Sequence, residues 1–504
     1  MKYIDNFLNK ITMYRLMLYG LSALALIAVA AGFSGMLSYS GLHLIYSFFL
    51  LGIACYVSNQ IFARIFKVQT NVESEWITGF ILFFVAFPAQ SLADARLLLI
   101  AAVVAMASKY ILAWKKKHIF NPAAAGLAIL SISGYGIGAW WVGSTFMLIP
   151  VAILGFLVLR KVKRFSLFFT FAATGLLSAI VFGIRSGASV MQILQTNIIS
   201  GPLLFFGAIM LTEPLTTPPK KSLQLAYGSL VGLLYGAHFS IGPIYNSPEL
   251  SLVIGNLFSY IVSPRARLML TLVQQEKITG DVVNFEFKPD EKLAFKPGQY
   301  LEWTLGHKGS DQRGNRRYFT IASSPTEENI ILGTKFYPNP STFKKALLSL
   351  EAGRGMIASQ LSGEFTMPED KGKKLAFIAG GIGATPFRSM AKYMIDTKES
   401  RDIVHLYSNK SLADAAYKDI FDAAAQAGWK NIYVINEPGG STLAADMRAG
   451  FITKEMIMAE IPDYKERMFY ISGTHAMVSR FEDALRELGV PNGHIKTDFF
   501  PGFV

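Results

Sequence analysis

Long apolar runs fill the first half of the chain, and short runs that alternate apolar with polar residues fill the second. A transmembrane helix needs ~20 mostly apolar residues. Ten runs approach that pattern, at 16–33, 42–63, 77–92, 97–114, 122–138, 143–159, 166–184, 190–211, 223–239 and 248–263. The fifth and eighth are short or interrupted by Gly, Pro and polar residues. After Arg267 the period changes. LMLTLVQQEKITGDVVNFEFKP alternates and is bounded by Gly and Pro, as strands are. Strand-like pieces continue through YLEWTL, RYFTIAS and IILGTKF to about Thr366, which predicts a small antiparallel barrel. From Lys374 strand and helix patterns alternate, the signature of a parallel nucleotide-binding sheet. The expected fold is therefore a multi-pass α-helical membrane domain of about ten spans over 1–264, an antiparallel β-barrel over 265–370 and an α/β domain over 371–504.

Charge sharpens this picture. The chain of 504 residues is 52% hydrophobic and 16% charged, with a net charge of +13. Residues 1–267 hold 19 Lys and Arg against 6 Asp and Glu, while 268–504 hold 29 of each. The whole excess lies in the apolar half, which argues against nucleic acid as a partner. Sixteen of those basic residues fall at one end of the ten runs, from Lys2, Lys10 and Arg15 to Arg265 and Arg267. Only Arg96 and Arg185 fall at the other, and Lys109 lies inside the fourth run. Basic residues favour the cytoplasmic side, so the expectation is a multi-pass protein of the cell (inner) membrane with both termini and the second half cytoplasmic. The first run reads as a retained helix and not as a cleaved signal. A single cysteine, Cys55, leaves no intramolecular disulfide and no cysteine-rich zinc or iron–sulfur site, and no metal site is expected.

Two interruptions in the apolar half carry polar groups. FNPAAAG, from Phe120 to Gly126, contains Asn121 and Pro122, and LTEPLTTPPKK, from Leu211 to Lys221, contains Thr212, Glu213 and Pro214. Broken helices build ligand sites from backbone groups at membrane depth, and an intramembrane acid is a functional candidate. The same residues also suit ordinary helix capping. Together the motifs resemble the membrane flavoprotein family that contains the B subunit of the sodium-pumping NADH:quinone reductase and the D subunit of the Rnf complex. The resemblance implies ten spans and a flavin, FMN or riboflavin, near Asn121 and Glu213. That family also attaches a flavin phosphate to Thr in an S-G-A-T motif preceded by Asp. Here RSGAS ends in Ser189 and lacks the Asp, and a small-residue turn accounts for it better than a flavin attachment site.

Three motifs in the second half carry chemistry. RYFTIAS places Arg317, Phe319, Ile321 and Ser323 on one strand face and Tyr318, Thr320 and Ala322 on the other. Arg can donate twice to a pyrophosphate, an aromatic can stack on a tricyclic ring, and a hydroxyl can reach a ring nitrogen. AGGIGATPF follows a buried strand and opens a helix; Gly380, Gly381 and Gly383 let backbone N–H groups approach a phosphate, with Thr385 and Pro386 at the helix start. ISGTHAM is a second strand end meeting a helix. In this order the trio closely resembles the ferredoxin–NADP reductase superfamily over residues ~268–504.

The resemblance implies FAD on Arg317, Phe319 and Thr320, with Tyr318 and Ser323 in the same motif, Ser341 or Thr342 completing the phosphate site and Phe503 in the C-terminal tail. It implies NAD(P)H on the glycine loop, Gly473 and Met477. Ser472 stands where many members carry the Cys that seats the nicotinamide, so Thr320 and Ser472 are the residues expected at the reacting rings. Ser408 and Lys410 could hold a 2′-phosphate, which leaves NADH and NADPH open. The expected activity is a membrane-bound FAD-dependent NAD(P)H:acceptor oxidoreductase, passing electrons to a membrane-domain flavin and then to a quinone, a partner subunit or a trans-membrane acceptor. A haem-relay ferric reductase or oxidase is one alternative, for which the apolar half offers only His43, His118 and His238. A transporter or channel with a regulatory nucleotide-binding domain is another.

Overall fold

In the computed structural model the chain forms two compact units, Met1–Arg265 and Ala266–Val504. The residues described are 4–5, 7–8, 11–66, 72–114, 117–242, 244–263, 268–307, 309, 311, 314–438 and 444–500.

The first unit is helical. Its helices are α1 (Met13–Phe33), α2 (Gly41–Ile65), α3 (Val72–Val85), α4 (Leu92–Ile111), α5 (Pro122–Ile132), α6 (Leu148–Val162), α7 (Phe165–Arg185), a bent pair α8 (Val190–Ile199) and α9 (Leu203–Met210), α10 (Lys221–Gly236) and α11 (Pro248–Val262). Side-chain caps fix several starts. Thr12, Ser40, Ser91, Asn121 and Ser247 each accept a hydrogen bond from the backbone N–H three residues on, which satisfies a donor the helix itself cannot. Pro occupies the first turn of α5 and α11.

The expectation of about ten spans is corrected. Among the described residues three helices, α1, α2 and α7, are long and apolar enough to cross a membrane, or up to four if α8 and α9, bent by 55°, form one span. The reason is length and charge. At 1.5 Å per residue, ~20 residues are needed for a ~30 Å hydrocarbon core. α3, α5, α6, α10 and α11 have 11 to 16 residues. α4 has 20 but carries Asp94, Arg96 and Lys109.

α7 and α10 make the most extensive helix pair, and glycines permit it. A Cβ on Gly232 would lie 2.1 Å from Thr174 Oγ1 and 2.6 Å from Phe171 O, and one on Gly236 would lie 2.3 Å from Gly175 O. Gly228, Gly232 and Gly236 recur every fourth residue and so share one helix face.

The second unit contains a barrel and a parallel sheet. The barrel strands are β1 (Leu268–Lys277), β2 (Val282–Pro289), β3 (Tyr300–Thr304), β4 (Arg316–Thr320), β5 (Ile330–Lys335) and, after helix α12 (Thr342–Leu348), β6 (Gly355–Ser362). They pair antiparallel in the order β4-β3-β6-β1-β2-β5. The two outer strands approach where Ala322 N donates to Ile331 O at 2.9 Å. Phe285, Phe287, Trp303 and Leu332 fill the interior.

The parallel sheet takes β7 (Leu375–Gly380), α13 (Thr385–Thr397), β8 (Ile403–Asn409), α14 (Lys418–Ala423), β9 (Trp429–Ile435), β10 (Met447–Ala449), α15 (Lys454–Glu460), β11 (Met468–Thr474), α16 (His475–Glu487) and β12 (Ile495–Phe500). Its order is β10-β9-β8-β7-β11-β12. Both faces are buried, Phe377, Tyr407 and Trp429 in one cluster and Ile378, Leu406 and Ile471 in another, as expected of a sheet covered on two sides. The chain winds outward from β7 in one direction and resumes at β11 in the other. That reversal opens a crevice at the carboxyl ends of β7 and β11.

Replacing Gly232 with Leu should lower the stability of the full-length chain by ~3 kcal/mol through overpacking, read as a drop in Tm. Leu233→Ala, at a position 50% exposed, should leave Tm within error.

Candidate functional site

The crevice gathers residues that are far apart in sequence. β7 ends at Gly380, a short turn runs through Gly381–Ala384, and α13 starts at Thr385. Space is the constraint. A Cβ on Gly380 would lie 2.2 Å from Met477 Sδ, one on Gly473 2.8 Å from the same atom, and one on Gly383 2.4 Å from Ser472 O. Met477 therefore lies against two of the glycines, and the β11 end against the third. Gly381 has φ +50°, which favours glycine. Tyr407 OH donates to Gly381 O at 3.1 Å and holds the turn. Thr385 and Pro386 are buried in the first turn of α13.

Ser472 is fully buried, and its Oγ has no hydrogen-bond partner among the described residues. A buried polar atom left unpaired costs about 1–3 kcal/mol, so this hydroxyl suits a ligand's polar group. Ser472 pairs with Asp498 across β11 and β12, and Asp498 Oδ2 accepts from Thr320 Oγ1 at 3.3 Å. Thr320, Ser472 and Asp498 thus meet beside the glycine loop. Sequence spacing did not join them, because each lies on a different strand.

The barrel supplies a second cluster. Pairing sets Arg317 opposite Trp303 and Phe319 opposite Leu301, and directly opposed residues share a face. Arg317 Nη2 lies 3.2 Å from Asp311 Oδ1, and its guanidinium lies 5.1 Å from the centre of the Phe343 ring. Phe319 tilts against Phe343 at 6.0 Å. Thr342 Oγ1 accepts from Asp311 N at 3.0 Å, and Ser341 caps α12. Arg317 and Thr342 therefore meet around Asp311, with Ser341 next in the chain and Phe319 against the same Phe343 ring, and the guanidinium with the two hydroxyls suits an anionic pyrophosphate. Tyr318 points to the opposite face, half-exposed, with its hydroxyl donating to Glu302 Oε2 at 2.8 Å. Phe503 lies outside the described residues.

The two clusters are tied by a clamp that no motif announced. Arg388, on the helix that begins at the glycine loop, donates to Ala322 O at 3.1 Å and to Glu327 Oε1 at 2.9 Å. Ser389 Oγ donates to Ser323 O at 2.6 Å, and Ser323 Oγ accepts from Ile331 N at 3.0 Å. The segment that follows Thr320 is fixed to the helix that follows Gly383. Ser408 and Lys410 lie at the end of the neighbouring strand β8, and Lys410 is paired with Glu437.

In the first unit the two broken-helix motifs meet. Asn121 Oδ1 accepts from Ala124 N at 3.1 Å, while its Nδ2 donates to Glu213 Oε2 at 2.9 Å. Thr216 Oγ1 donates to the same oxygen at 3.1 Å, and His118 Nε2 lies 3.6 Å from Glu213 Oε1. Asn256 Oδ1 accepts from Asn121 N at 2.8 Å. A small cavity of about 40 Å³ is lined by Asn121, Pro122, Glu213 and Pro214 together with Met17, Thr78 and Ile209. Thr212 is buried beside it, with its hydroxyl donating to Ala208 O at 2.7 Å. Ser189 is not among the lining residues; it caps α8 in a capping box with Gln192. A buried acid that the motifs did not flag, Glu75, accepts from Gln60 Nε2 at 3.1 Å and from Asn59.

Residues 377–483 match the family model described as the oxidoreductase NAD-binding domain. The chain is 26% identical over 242 residues to a flavohemoprotein of Rhodopirellula baltica, covering 44% of this chain and 57% of that one. It is 26% identical over 227 residues to the glycine betaine monooxygenase reductase subunit of Pseudomonas aeruginosa, covering 44% and 61%. The chain thus spans less than two thirds of the length of these relatives. Among solved structures, the flavohem-like FAD/NAD-binding domain of nitric oxide dioxygenase from Vibrio cholerae is 18% identical, covering 46% of this chain and 98% of that one, at a TM-score of 0.41. Within the second unit, residues 377–483 are thus similar to an oxidoreductase NAD-binding domain.

One histidine beside the site gives a pH signature. His405, on β8, is wholly buried among Phe377, Phe421 and Trp429, and burial pushes its imidazole down to about 4. An exposed imidazole titrates near ~6.5. The unfolded chain therefore takes the proton first, and stability falls as pH drops through ~6.5 towards 4. His405→Gln should shrink the difference in Tm between pH 7 and pH 5, measured by thermal unfolding of the whole chain.

Proposed function

We propose that the chain is a membrane-bound NAD(P)H oxidoreductase that passes electrons from the nucleotide through FAD to a second, non-covalent flavin in the first unit, and then to a quinone, a partner subunit or an acceptor across the membrane. The observation that carries this reading is the convergence of Thr320, Ser472 and the glycine loop in one crevice. FAD, when bound, accepts a hydride and releases its electrons singly. Arg317, with Ser341 and Thr342 nearby, is suited to hold its pyrophosphate, and Phe319 to meet its ring system. Thr320 offers a hydroxyl to the ring, with Asp498 fixing its direction. The N–H groups of the glycine loop face the dinucleotide's phosphates, and the unpaired Ser472 hydroxyl faces the nicotinamide. Met477 and the β11 end pack against the loop and fix its position, as ring-to-ring transfer requires.

The second flavin is proposed for the cavity between Asn121 and Glu213. Its support is the meeting of the two motifs that resemble the membrane flavoprotein family, with an amide and a carboxylate on one wall. Membrane embedding is supported by the apolar groups that the helices present outward. Leu26, Ile149, Phe169 and Leu177 are each at least 60% exposed, more than a water-facing helix carries without a partner. The basic residues clustered at one end of the apolar runs support a cell-membrane location with the reductase unit in the cytoplasm.

Arg317→Ala should abolish FAD retention and reduce NADH and NADPH oxidation by at least ~100-fold. Glu213→Ala should keep reduction of a soluble dye within about twofold, yet lower quinone reduction by ~10-fold or more. Extracted flavin per chain should fall from two to one in each variant. Full quinone reduction by both variants would sink the two-flavin relay.

A further inference from the structure

We propose that Glu437 makes the nucleotide site selective for a free 2′-hydroxyl on the adenosine ribose, so that the chain uses NADH in preference to NADPH. This rests on the NAD(P)H oxidoreductase reading and names its substrate.

The argument starts from register. Gly380 at the end of β7 pairs with Ser408 on β8, and Ser408 and Asn409 pair with Val434 and Ile435 on β9. All three strands are parallel, so their carboxyl ends form one edge. Neighbouring strands lie ~4.8 Å apart. Residues just past β8 and β9 therefore sit about 5 and 10 Å along that edge from the glycine loop. A dinucleotide whose phosphates rest on the loop lays its adenosine half across such an edge.

Two residues emerge there. The chain ends past β8 and β9 stay tied, since Asn436 N donates to Asn409 O at 3.0 Å and Glu437 N donates to Lys410 O at 2.8 Å. Their side chains then meet, with Lys410 Nζ 3.4 Å from Glu437 Oε2. Lys410 is the cation that this edge offers a 2′-phosphate, and Glu437 neutralises it. Next to the pair, Asn436 Oδ1 is buried, with no hydrogen-bond partner among the described residues. The edge thus presents an exposed carboxylate, with that amide oxygen one residue before it, and both are acceptors. Ribose hydroxyls donate to such groups. A phosphate dianion has no proton to donate and is repelled by the carboxylate. Acidic residues hold the ribose 2′-hydroxyl in dinucleotide folds for the same reason.

The test uses the full-length protein with bound FAD. Calorimetry would measure binding of 5′-ADP and of 2′,5′-ADP, and steady-state oxidation would give kcat/KM for NADH and NADPH. Both would be repeated on Glu437→Gln and Glu437→Lys. The Glu437 side chain is 68% exposed, so both variants should fold. The wild type should favour 5′-ADP and NADH by ~10-fold or more. Glu437→Lys should reverse both preferences, and Glu437→Gln should fall between. A wild type that prefers NADPH, or variants whose preference stays within about twofold of it, would overturn the assignment. Failure to oxidise either nucleotide or to bind either ADP would overturn the oxidoreductase reading, and the selectivity with it.

Discussion

A peptide or polar group taken out of water has to find a hydrogen-bond partner, and both candidate sites lie where a helix or strand can no longer supply one internally. In the first unit α5 begins in the interior, and Asn121 caps it with one side-chain atom while reaching Glu213 with another. In the second unit β7, β8 and β11 all end at one edge, where backbone groups, Ser472 Oγ and Asn436 Oδ1 are left for something other than the sheet. Buried polar groups are seldom left unpaired. Their clustering at element ends is what makes these two places chemically ready.

The alternation of strands and helices after Lys374, the barrel before it and the three chemical motifs were all legible, because each is a local pattern set by period and by turn residues. The meeting of Asn121 with Glu213 was suggested only through resemblance, since nothing local links positions 92 residues apart. The number of long spans was overestimated. Hydropathy reads apolar runs but not where a helix begins or stops, and Pro122 and Pro202 mark helix starts inside the apolar half while the Gly-rich segment after Ser131 ends α5. Three further features left no readable trace: the Arg388–Glu327 clamp, the Thr320–Asp498 bond and the Lys410–Glu437 pair. Each joins residues whose identities are ordinary for a solvated surface, and only the fold brings them together.

The clamp matters for how the reductase unit works as one body. Arg388 is only 6% exposed and its charge is met by Glu327, so this pair stays bound in the interior. It holds the end of β4 against α13. The barrel's chemistry and the sheet's chemistry are thereby fixed relative to each other by side chains that touch neither proposed ligand. A reaction between two stacked rings demands that kind of support, since a displacement of about 1 Å at the reacting atoms can cost ~100-fold in rate.

The α7–α10 pair carries an implication for how the first unit is made. Gly228, Gly232 and Gly236 press directly on the backbone of α7, yet α10 follows it only after the bent pair α8–α9 and the Glu213 segment. During synthesis α7 emerges long before the surface it needs. Until α10 arrives, residues 186–220 form an open loop with Glu213 near its end. Closing that loop by docking α10 fixes both ends of the segment that carries Glu213. The position of the acid in the first unit therefore depends on a helix that stands outside the cavity lining.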